Sequence, residues 1–475
     1  MFRPQFQTAR FPFEITECLI IQYDTDRLAL SGFQMNLGKP LQFPIVIVLE
    51  CSSPMQIAEL EDDIDIGAIL WLGGTGCSGY QSLGDILIGT VVPSGRTPGL
   101  YPVNFQLDPA FMNHDDGSTD FVYNNAYTTL VDNTSSEEYT NAPFHEYEEG
   151  VYLGYKYYET TNDIGYLTDY YNRYDGVLYP FGYGLSYTVF SQEIVSSFDQ
   201  GDKIVITVRV ENTGRHYAGK DVVQIYYTAP YTDFDRDYNI EKPTAVLIQF
   251  EKTGLIEPGA YEDITVSLLK EEMASYCYTR NNGDGTIGCY VLEEGDYTIS
   301  IRANSHIILD AYNIEIPVTA WYDNRNPRQT EVAAQADMSP SGALLDYPAK
   351  NAVGVQVYQA ATNQFDQLHN YMTDPTVSNA TILSRKDWSG TLPTAPTEVD
   401  RTASATVIRW FAESDSTKYD YENDLKLGND SGSAIFQNKM AGMLRVSTPT
   451  VPPLAAGWPS TLVRMVCWPA TWALR

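Results

Sequence analysis

Two short, fully apolar runs in the first hundred residues predict buried parallel strands. They are FPIVIVLE at 43–50 and IGAILWLGG at 66–74, and continuous apolar runs are typical of strands covered on both faces. Each is followed by a helical stretch, MQIAELEDD at 55–63 and YQSLGDILIG at 80–89. This alternation predicts a parallel sheet with right-handed crossovers. We expect only a partial sheet, because residues 1–40 contain no equally clear strand.

From about residue 200 the pattern changes to alternating apolar and polar positions. Alternation with period two is typical of strands with one buried face, and Gly, Pro, Asn or Asp residues separate the runs. Five such strands in succession predict an antiparallel β-sandwich of immunoglobulin or fibronectin type III shape. The five lie at 203–214, 220–230, 244–254, 262–270 and 295–305.

The composition fits a folded protein and excludes two classes of partner. The chain has 475 residues, of which 43% are hydrophobic and 19% charged, enough for two or three domains. A formal net charge of −31 would repel nucleic acid and anionic membrane surfaces. No run of about 18 apolar residues predicts a membrane span. The first residues, MFRPQFQTARFPF, lack the basic head and apolar core of a signal peptide, so we expect a cytoplasmic protein.

The cysteines, histidines and glycine-rich loops indicate no metal site and no cofactor. The six cysteines show no CxxC spacing and the five histidines form no ligand cluster. Cys277 and Cys289 flank a hairpin-like stretch and could form a bridge, although we favour reduced thiols in a cytosolic chain. The loop GGTGCSG at 73–79 lacks the spacing of a nucleotide-binding loop. We interpret it as a loop at the carboxyl edge of the sheet.

Aromatic residues are unusually frequent, and several lie in one short segment. The chain has 35 tyrosines and 18 phenylalanines, and YPFGYGLSYTVF at 179–190 combines four aromatic rings with two glycines and a proline within its first nine residues. Aromatic rings stack on the C–H faces of sugars, but they also pack domain junctions. Gly182 and Gly184 permit a tight backbone path in either case. The segment is therefore a candidate for sugar stacking or for domain packing.

Five stretches resemble glycoside hydrolase family 3, the family of β-glucosidases and β-xylosidases. Two of them, 68–101 and 147–160, resemble its α/β domain, and 179–190 resembles the crossing into the next domain. The stretches 210–231 and 240–259 resemble the fibronectin type III-like domain of that family. The resemblance implies an α/β plus all-β fold, in which a partial α/β sandwich precedes an immunoglobulin-like β-sandwich. It also implies that residues 179–190 pack the two domains together.

The resemblance also implies an order of segments along the chain. NYMTDPTVSNATILSRKDWSGTLPTAPT is similar to the linker that precedes the catalytic (β/α)8 barrel in a permuted subgroup, yet no barrel pattern follows it. We therefore expect the catalytic barrel to be absent and the chain to be incomplete. The segments are a poorly matched start, a partial α/β domain, a fibronectin type III-like domain, a linker and a foreign tail, at 1–40, 41–190, 191–318, 319–430 and 431–475.

The tail differs in composition from the rest of the chain. Residues 431–475 contain no Asp or Glu, and three of the seven tryptophans fall within the last eighteen positions. The segment shows neither helical nor strand periodicity. We interpret it as the product of a reading-frame shift, with a genuine amphipathic tail as the alternative. We expect neither this tail nor residues 1–40 to fold stably.

Retaining glycosidases use two carboxyl groups, one as nucleophile and one as general acid/base. The resemblance places the nucleophile, an Asp often followed by Trp, on the barrel and the acid/base, a Glu, on the α/β domain. Glu17 is the nearest acid/base candidate, because it precedes YDTDRLALSGFQ, although an ordinary solvated carboxylate is the simpler interpretation. Asp387 precedes Trp388 but lies in the linker-like segment, so we expect the nucleophile to be absent. Glu148 and its neighbour Glu149 are interpreted as structural.

Two functions follow from these observations. The first is a cofactor-independent β-glucosidase-like glycoside hydrolase acting on β-linked glycosides with retention, incomplete and inactive as it stands. The alternative is a non-catalytic carbohydrate-binding or structural accessory module; an α/β part acting with a separately encoded barrel is a third, weaker option. The sequence leaves the sugar, the linkage and the oligomeric state open.

Overall fold

The computed structural model describes the chain in twelve stretches. They are residues 19–23, 45–51, 53–61, 63, 66–74, 80–113, 121–131, 137–166, 176–283, 287–323, 325–329 and 380–408. Within them the fold consists mainly of strands with a few short helices, arranged as an α/β domain followed by a β-sandwich. The predicted fold class is confirmed. The described stretches contain no (β/α)8 barrel.

The α/β domain is built on a three-stranded parallel sheet in the order β1-β2-β3. Its elements are β1 (Leu19–Tyr23), β2 (Ile45–Leu49), α1 (Ala58–Glu61), β3 (Ile66–Trp71) and α2 (Tyr80–Leu87). All five residues of β2 are buried, as the continuous apolar run predicts for a central parallel strand. The apolar pattern does not predict β1, because a single five-residue run without a following helix cannot be distinguished from an irregular segment.

The stretch between this sheet and the sandwich is more ordered than its polar sequence predicts. It contains β4 (Tyr101–Pro102), β5 (Val122–Val131), β6 (Glu137–Pro143), α3 (Tyr155–Asp163) and β7 (Val177–Tyr179). The strands pair as two antiparallel ribbons, β4 with β7 and β5 with β6. The polar sequence at 113–145, dense in Asn, Asp and Tyr, predicts a loop-rich region, and this prediction is wrong for β5 and β6. Their sequences are rich in Asn, Thr and Tyr, and the two segments pair as strands because they follow each other closely in the chain.

The β-sandwich begins directly after this region. Its elements are β8 (Phe190–Asp199), β9 (Lys203–Asn212), β10 (Val222–Thr228), α4 (Asp233–Tyr238), β11 (Val246–Lys252), β12 (Tyr261–Leu269), β13 (Ser275–Asn281), β14 (Ile287–Leu292), β15 (Gly295–Arg302), β16 (Ile308–Ile316) and β17 (Ala320–Tyr322). The two main sheets have the orders β11-β10-β15-β16 and β12-β9-β8, and β13-β14-β17 form a third, smaller sheet.

The core of the sandwich follows from the alternation in its sequence. Every second residue of β9 is buried, from Ile204 to Asn212. The inward side chains of both main sheets form one cluster, which includes Ile206, Ile225, Ile299 and Leu268. All five strands predicted from period-two alternation are present, as β9, β10, β11, β12 and β15. The sandwich therefore encloses a core made almost entirely from its own strands.

Residues 380–408, here called the return segment, pack back onto the α/β domain. Their first part contains a short 3-10 turn, Arg385–Asp387, and buries Leu383 and Trp388. Their second part buries Ala403 and Val407 in a cluster against the β5–β6 ribbon. This part of the predicted linker is thus in contact with a folded domain along its length.

Candidate functional site

The aromatic corner, residues 179–187, joins the two domains through a backbone path that only glycine allows. Gly182 has φ +78°, and a Cβ there would lie 2.0 Å from Oε1 of Gln224 on β10. The Gln224 side-chain amide donates to the carbonyl of Gly182 at 3.0 Å. At Gly184 a Cβ would lie 2.3 Å from the carbonyl oxygen of Gly95. Gly182 therefore permits close approach to the sandwich, and Gly184 permits close approach to another segment of the α/β domain.

The rings of the aromatic corner pack in both directions. Phe181 stacks on Tyr155 of α3 with ring centroids 4.6 Å apart, and Tyr155 meets Tyr226 of β10 edge to face at 6.1 Å. The Tyr187 hydroxyl donates to the carbonyl of Ile86 at 2.9 Å, while its ring lies 6.1 Å from that of Tyr217 in the sandwich. The corner thus packs the two domains together as predicted, and its rings are largely occupied by protein neighbours.

Charged side chains add two further contacts across the junction. Arg96 donates to the carbonyl of Gly184 at 2.7 Å and forms an ion pair with Asp221 of the sandwich. On the other side, Glu159 of α3 is buried and accepts from the Ser305 hydroxyl at 2.8 Å, with Nδ1 of His306 at 3.0 Å. Buried ion pairs fix geometry because breaking one leaves an uncompensated charge. The junction is therefore specified by polar groups as well as by rings.

Glu241 connects three parts of the chain at one carboxylate. The Tyr152 hydroxyl of the α/β domain donates to its Oε2 at 2.5 Å, and the return segment donates through the Ser384 hydroxyl and through the Arg385 backbone N–H at 2.9 Å. Burial, with the Glu241 charge beside it, raises the pKa of Tyr152 well above its ordinary value. Tyr152 therefore remains a neutral donor at any physiological pH.

Asp387 and Trp388 occupy different environments. Trp388 is buried between Tyr152, edge to face at 4.8 Å, and Tyr157, stacked at 5.7 Å. Asp387 is exposed, and its Oδ1 accepts from the backbone N–H of Gly390 at 3.1 Å. The carboxylate therefore closes its own turn. Trp388 thus docks the return segment on the α/β domain, while Asp387 stabilises the local turn.

Glu148 lies where the return segment crosses the α/β domain. Its backbone carbonyl accepts from the N–H of Leu383 at 2.7 Å, and its carboxylate accepts from the backbone of Thr394. Burial raises the pKa of Glu148 to about 7, with further contributions from Glu146 and Asp400. A carboxylic acid that titrates near neutrality is common in functional sites. Here its neighbours are the docking contacts of the return segment.

The other predicted sites lie partly or wholly outside the described residues. Glu17 is one of these, so its role as acid/base stays a prediction. Only Gly73 and Gly74 of the glycine-rich loop are described. In the part of the chain that the structure covers, no group of three His, Cys, Asp or Glu side chains could hold a metal ion. No helix within that part is long and apolar enough to cross a membrane.

A cavity of about 600 Å³ opens at one end of the β-sandwich, away from the junction. Its lining combines polar and apolar side chains, and several of the polar groups pair with each other. Lys270 Nζ lies 2.8 Å from a carboxylate oxygen of Asp199, and the Gln329 amide donates to Asp202 at 3.3 Å. Tyr322 contributes a half-buried ring. The cavity thus offers one aromatic surface framed by acidic and amide groups.

Comparison with known proteins finds two matching domain families. Residues 22–155 match the glycosyl hydrolase family 3 C-terminal domain, and residues 221–305 match the fibronectin type III-like domain. The chain is therefore similar to glycoside hydrolase family 3 over these two stretches, and it spans between about a quarter and little more than a third of the length of the relatives described below.

Individual relatives are similar over part of their length. A β-glucosidase of Kluyveromyces marxianus is 29% identical over 273 residues, which are 57% of this chain and 26% of that protein. Thermostable β-glucosidase B of Acetivibrio thermocellus is 28% identical over 338 residues, 70% of this chain and 37% of that protein. The solved structure of β-glucosidase 3B from Thermotoga neapolitana with α-D-glucose has a TM-score of 0.46 at 25% identity, covering 59% of this chain and 32% of that one.

Proposed function

We propose that the described domains are the accessory part of a β-glucosidase-like hydrolase that releases β-linked sugars with retention and without a cofactor. The observation that supports this most is the junction. The two matched domains follow each other in one chain, and the aromatic corner, Arg96 and Glu159 hold them in a fixed arrangement. Proteins named as β-glucosidases are similar to this chain across the same stretch.

Hydrolysis that retains the anomeric configuration requires two catalytic carboxyl groups, and these domains must supply them or be combined with a domain that does. Double displacement needs a nucleophile and an acid/base about 5 Å apart. We propose Glu17 as the acid/base, from its position before YDTDRLALSGFQ. Asp387 does not suit the nucleophile role, because it is exposed and accepts from Gly390 in its own turn. The nucleophile therefore comes from outside the described residues.

The test is turnover of an aryl β-glucoside by the purified chain, measured as aglycone release. We expect no release above background. If release occurs, Glu17→Gln should reduce it, with partial recovery by added azide, while Asp387→Asn should leave it unchanged. Release that is abolished by Asp387→Asn would overturn the exclusion of Asp387 as the nucleophile.

A second function, carbohydrate binding without hydrolysis, is favoured by the cavity of the sandwich. An aromatic ring beside carboxylates and amides is suited to a sugar, because the ring stacks on C–H groups while the polar groups bind hydroxyls. Calorimetric titration with a β-linked gluco-oligosaccharide tests this. Binding that Tyr322→Ala weakens, in a chain that shows no turnover, would favour the accessory module over the hydrolase.

A further inference from the structure

Two cysteines face each other across a hairpin of the sandwich. Cys277 on β13 is the direct partner of Cys289 on β14 in the antiparallel register. Both are fully buried and both are free thiols. Their side chains therefore leave the hairpin on the same face, since directly opposed residues of an antiparallel pair point the same way.

The register alone satisfies the main geometric requirement of a disulfide. Directly opposed residues of an antiparallel pair have Cα atoms about 4.5–5.5 Å apart, and disulfides occur at Cα separations of about 4.4–6.8 Å. The thiol of Cys277 makes only weak contacts, 3.6 Å to Oγ1 of Thr279 and 3.9 Å to the carbonyl of Tyr238. Joining the two sulfur atoms would thus be compatible with this register and would displace only weak contacts of the Cys277 thiol.

The hairpin is irregular on the outer side of this pair. The register shifts between Cys277 and Asn281, and Gly288, which precedes Cys289, has φ +89°. A Cβ at Gly288 would lie 2.5 Å from the hydroxyl of Tyr276. A register shift disrupts the ladder locally, and local opening does not require global unfolding. Separation of β13 from β14 beside the pair would therefore expose the thiols to a small reagent while the rest of the sandwich stays folded.

We propose that Cys277 and Cys289 form a reversible cross-strand disulfide by exchange with a small-molecule disulfide. One cysteine, as thiolate, attacks a sulfur of the reagent, which releases one reagent thiolate and leaves a mixed disulfide. The second cysteine attacks the protein sulfur of that mixed disulfide and releases the second reagent thiolate. The two protein protons end on the released thiols, so two protein thiols are oxidised and one external disulfide is reduced.

The bond would link β13 to β14 within the third sheet, next to the residues that pack beside α4. Cys277 and Val291 belong to a buried cluster with Ile240, which follows α4, and β14 also pairs with β17. A covalent link between β13 and β14 removes the opening motion at the end of the hairpin. The reduced and oxidised forms would thus have the same fold and would differ in how readily β13 and β14 separate.

The experiment exposes the native full-length chain to glutathione buffers of increasing oxidised fraction, followed by alkylation and tryptic digestion. Trypsin cleaves after Arg280, between the two cysteines, so a disulfide joins two separate peptides. We expect a linked Cys277–Cys289 peptide to replace the two alkylated peptides as the oxidised fraction rises, and to disappear with dithiothreitol. Hydrogen exchange in residues 275–291 should slow in the oxidised form.

Matched variants control for other thiols and for slow access. Cys51 is buried in the α/β domain, so Cys51→Ser should leave the linked peptide unchanged, whereas Cys277→Ser should eliminate it. If the native chain does not react, refolding in the same buffer supplies the second measurement. A refolded chain with separate Cys277 and Cys289 peptides, or with each cysteine bound only to glutathione, would overturn the proposal.

Discussion

The β-sandwich and the α/β domain obtain their cores in different ways. The sandwich core comes from its own strands, with inward residues such as Ile206, Val223 and Ile299 meeting between two sheets. One of the α/β clusters includes Leu383 and Trp388 from the return segment, more than two hundred residues further along the chain than its other members. The first domain in sequence therefore depends on residues that follow the second.

This difference in how the two cores are completed predicts that the two domains have unequal stability. A core whose contacts lie within one continuous stretch forms as a unit, whereas a core completed by a distant segment requires that segment to be docked. Glu241 contributes to this docking, because it binds both Tyr152 and the return segment. We expect the α/β domain to unfold before the sandwich, and the following substitutions test this order.

The largest effect is expected for Trp388→Ala. Removal of a buried tryptophan costs about 3–5 kcal/mol, because apolar contacts are lost and a cavity remains. The loss should fall on the α/β domain, since Trp388 packs between Tyr152 and Tyr157. Calorimetry should show an earlier first transition, and hydrogen exchange should accelerate in β2 while β10 stays protected.

Trp321→Ala provides the matched control. Trp321 lies on β17 and packs against Phe234 and Tyr238 of α4 within the sandwich. Its removal should affect exchange in the sandwich and leave β2 unchanged. Equal loss of protection in β2 and β10 for Trp388→Ala would show that the two domains unfold as one unit and would contradict the comparison.

A smaller loss is expected for Gly182→Ala, which acts on the junction between the domains. The alanine must adopt the positive φ of Gly182, and its Cβ must displace the Gln224 side chain, which lies 2.0 Å away. These two costs sum to about 2–4 kcal/mol. Limited proteolysis should then cleave between the domains, and the two calorimetric transitions should move apart.

Gly201→Ala separates the two causes. Gly201 has φ +92°, and a Cβ there would meet nothing within 4 Å. The substitution therefore introduces backbone strain without a clash and should cost about 1–2 kcal/mol. If both variants are destabilised equally, the contact with Gln224 does not limit position 182.

Much of the sandwich could be predicted from sequence, because its alternation is a local signal of one buried face. Residues such as Ile204, Ile206 and Val208 alternate with polar neighbours in the sequence and are buried in the structure. The central strand β2 was predictable for the related reason that a strand covered on both faces is continuously apolar. The aromatic corner was also predictable in its packing role.

The contacts that complete the α/β domain could not be predicted in this way. Trp388 follows Asp387 in a polar, Pro-containing segment, and no periodicity shows that one side chain is buried and the other exposed. Glu241 precedes a lysine in an ordinary loop, and its partners lie 89 and 143 residues away. Long-range partners of single polar side chains leave no pattern in one sequence. The return segment was accordingly predicted as a linker.

The smallest effect is expected for Glu148→Gln, and it depends on pH. The pKa of Glu148 is raised from an ordinary value of 4.5 to about 7 in the folded chain, mainly by burial. The folded state therefore binds this proton more tightly than the unfolded state, and stability falls as pH rises from about 4.5 through 7. Glutamine stays neutral, so the variant should be more stable than the parent chain above pH 7, by less than about 1 kcal/mol after solvent screening.

The measurement is the midpoint of the α/β transition between pH 4.5 and 8 for the parent chain and the variant. Glu251→Gln serves as the control, because this glutamate is exposed on β11 of the sandwich and does not contact the return segment. An unchanged pH dependence of the α/β transition in Glu148→Gln would contradict this prediction. It would show that the ionisation of Glu148, beside the charges of Glu146 and Asp400, does not affect docking of the return segment. If the variant flattens that dependence and the sandwich transition does not move, protonation of Glu148 strengthens the docking on which only the α/β domain depends.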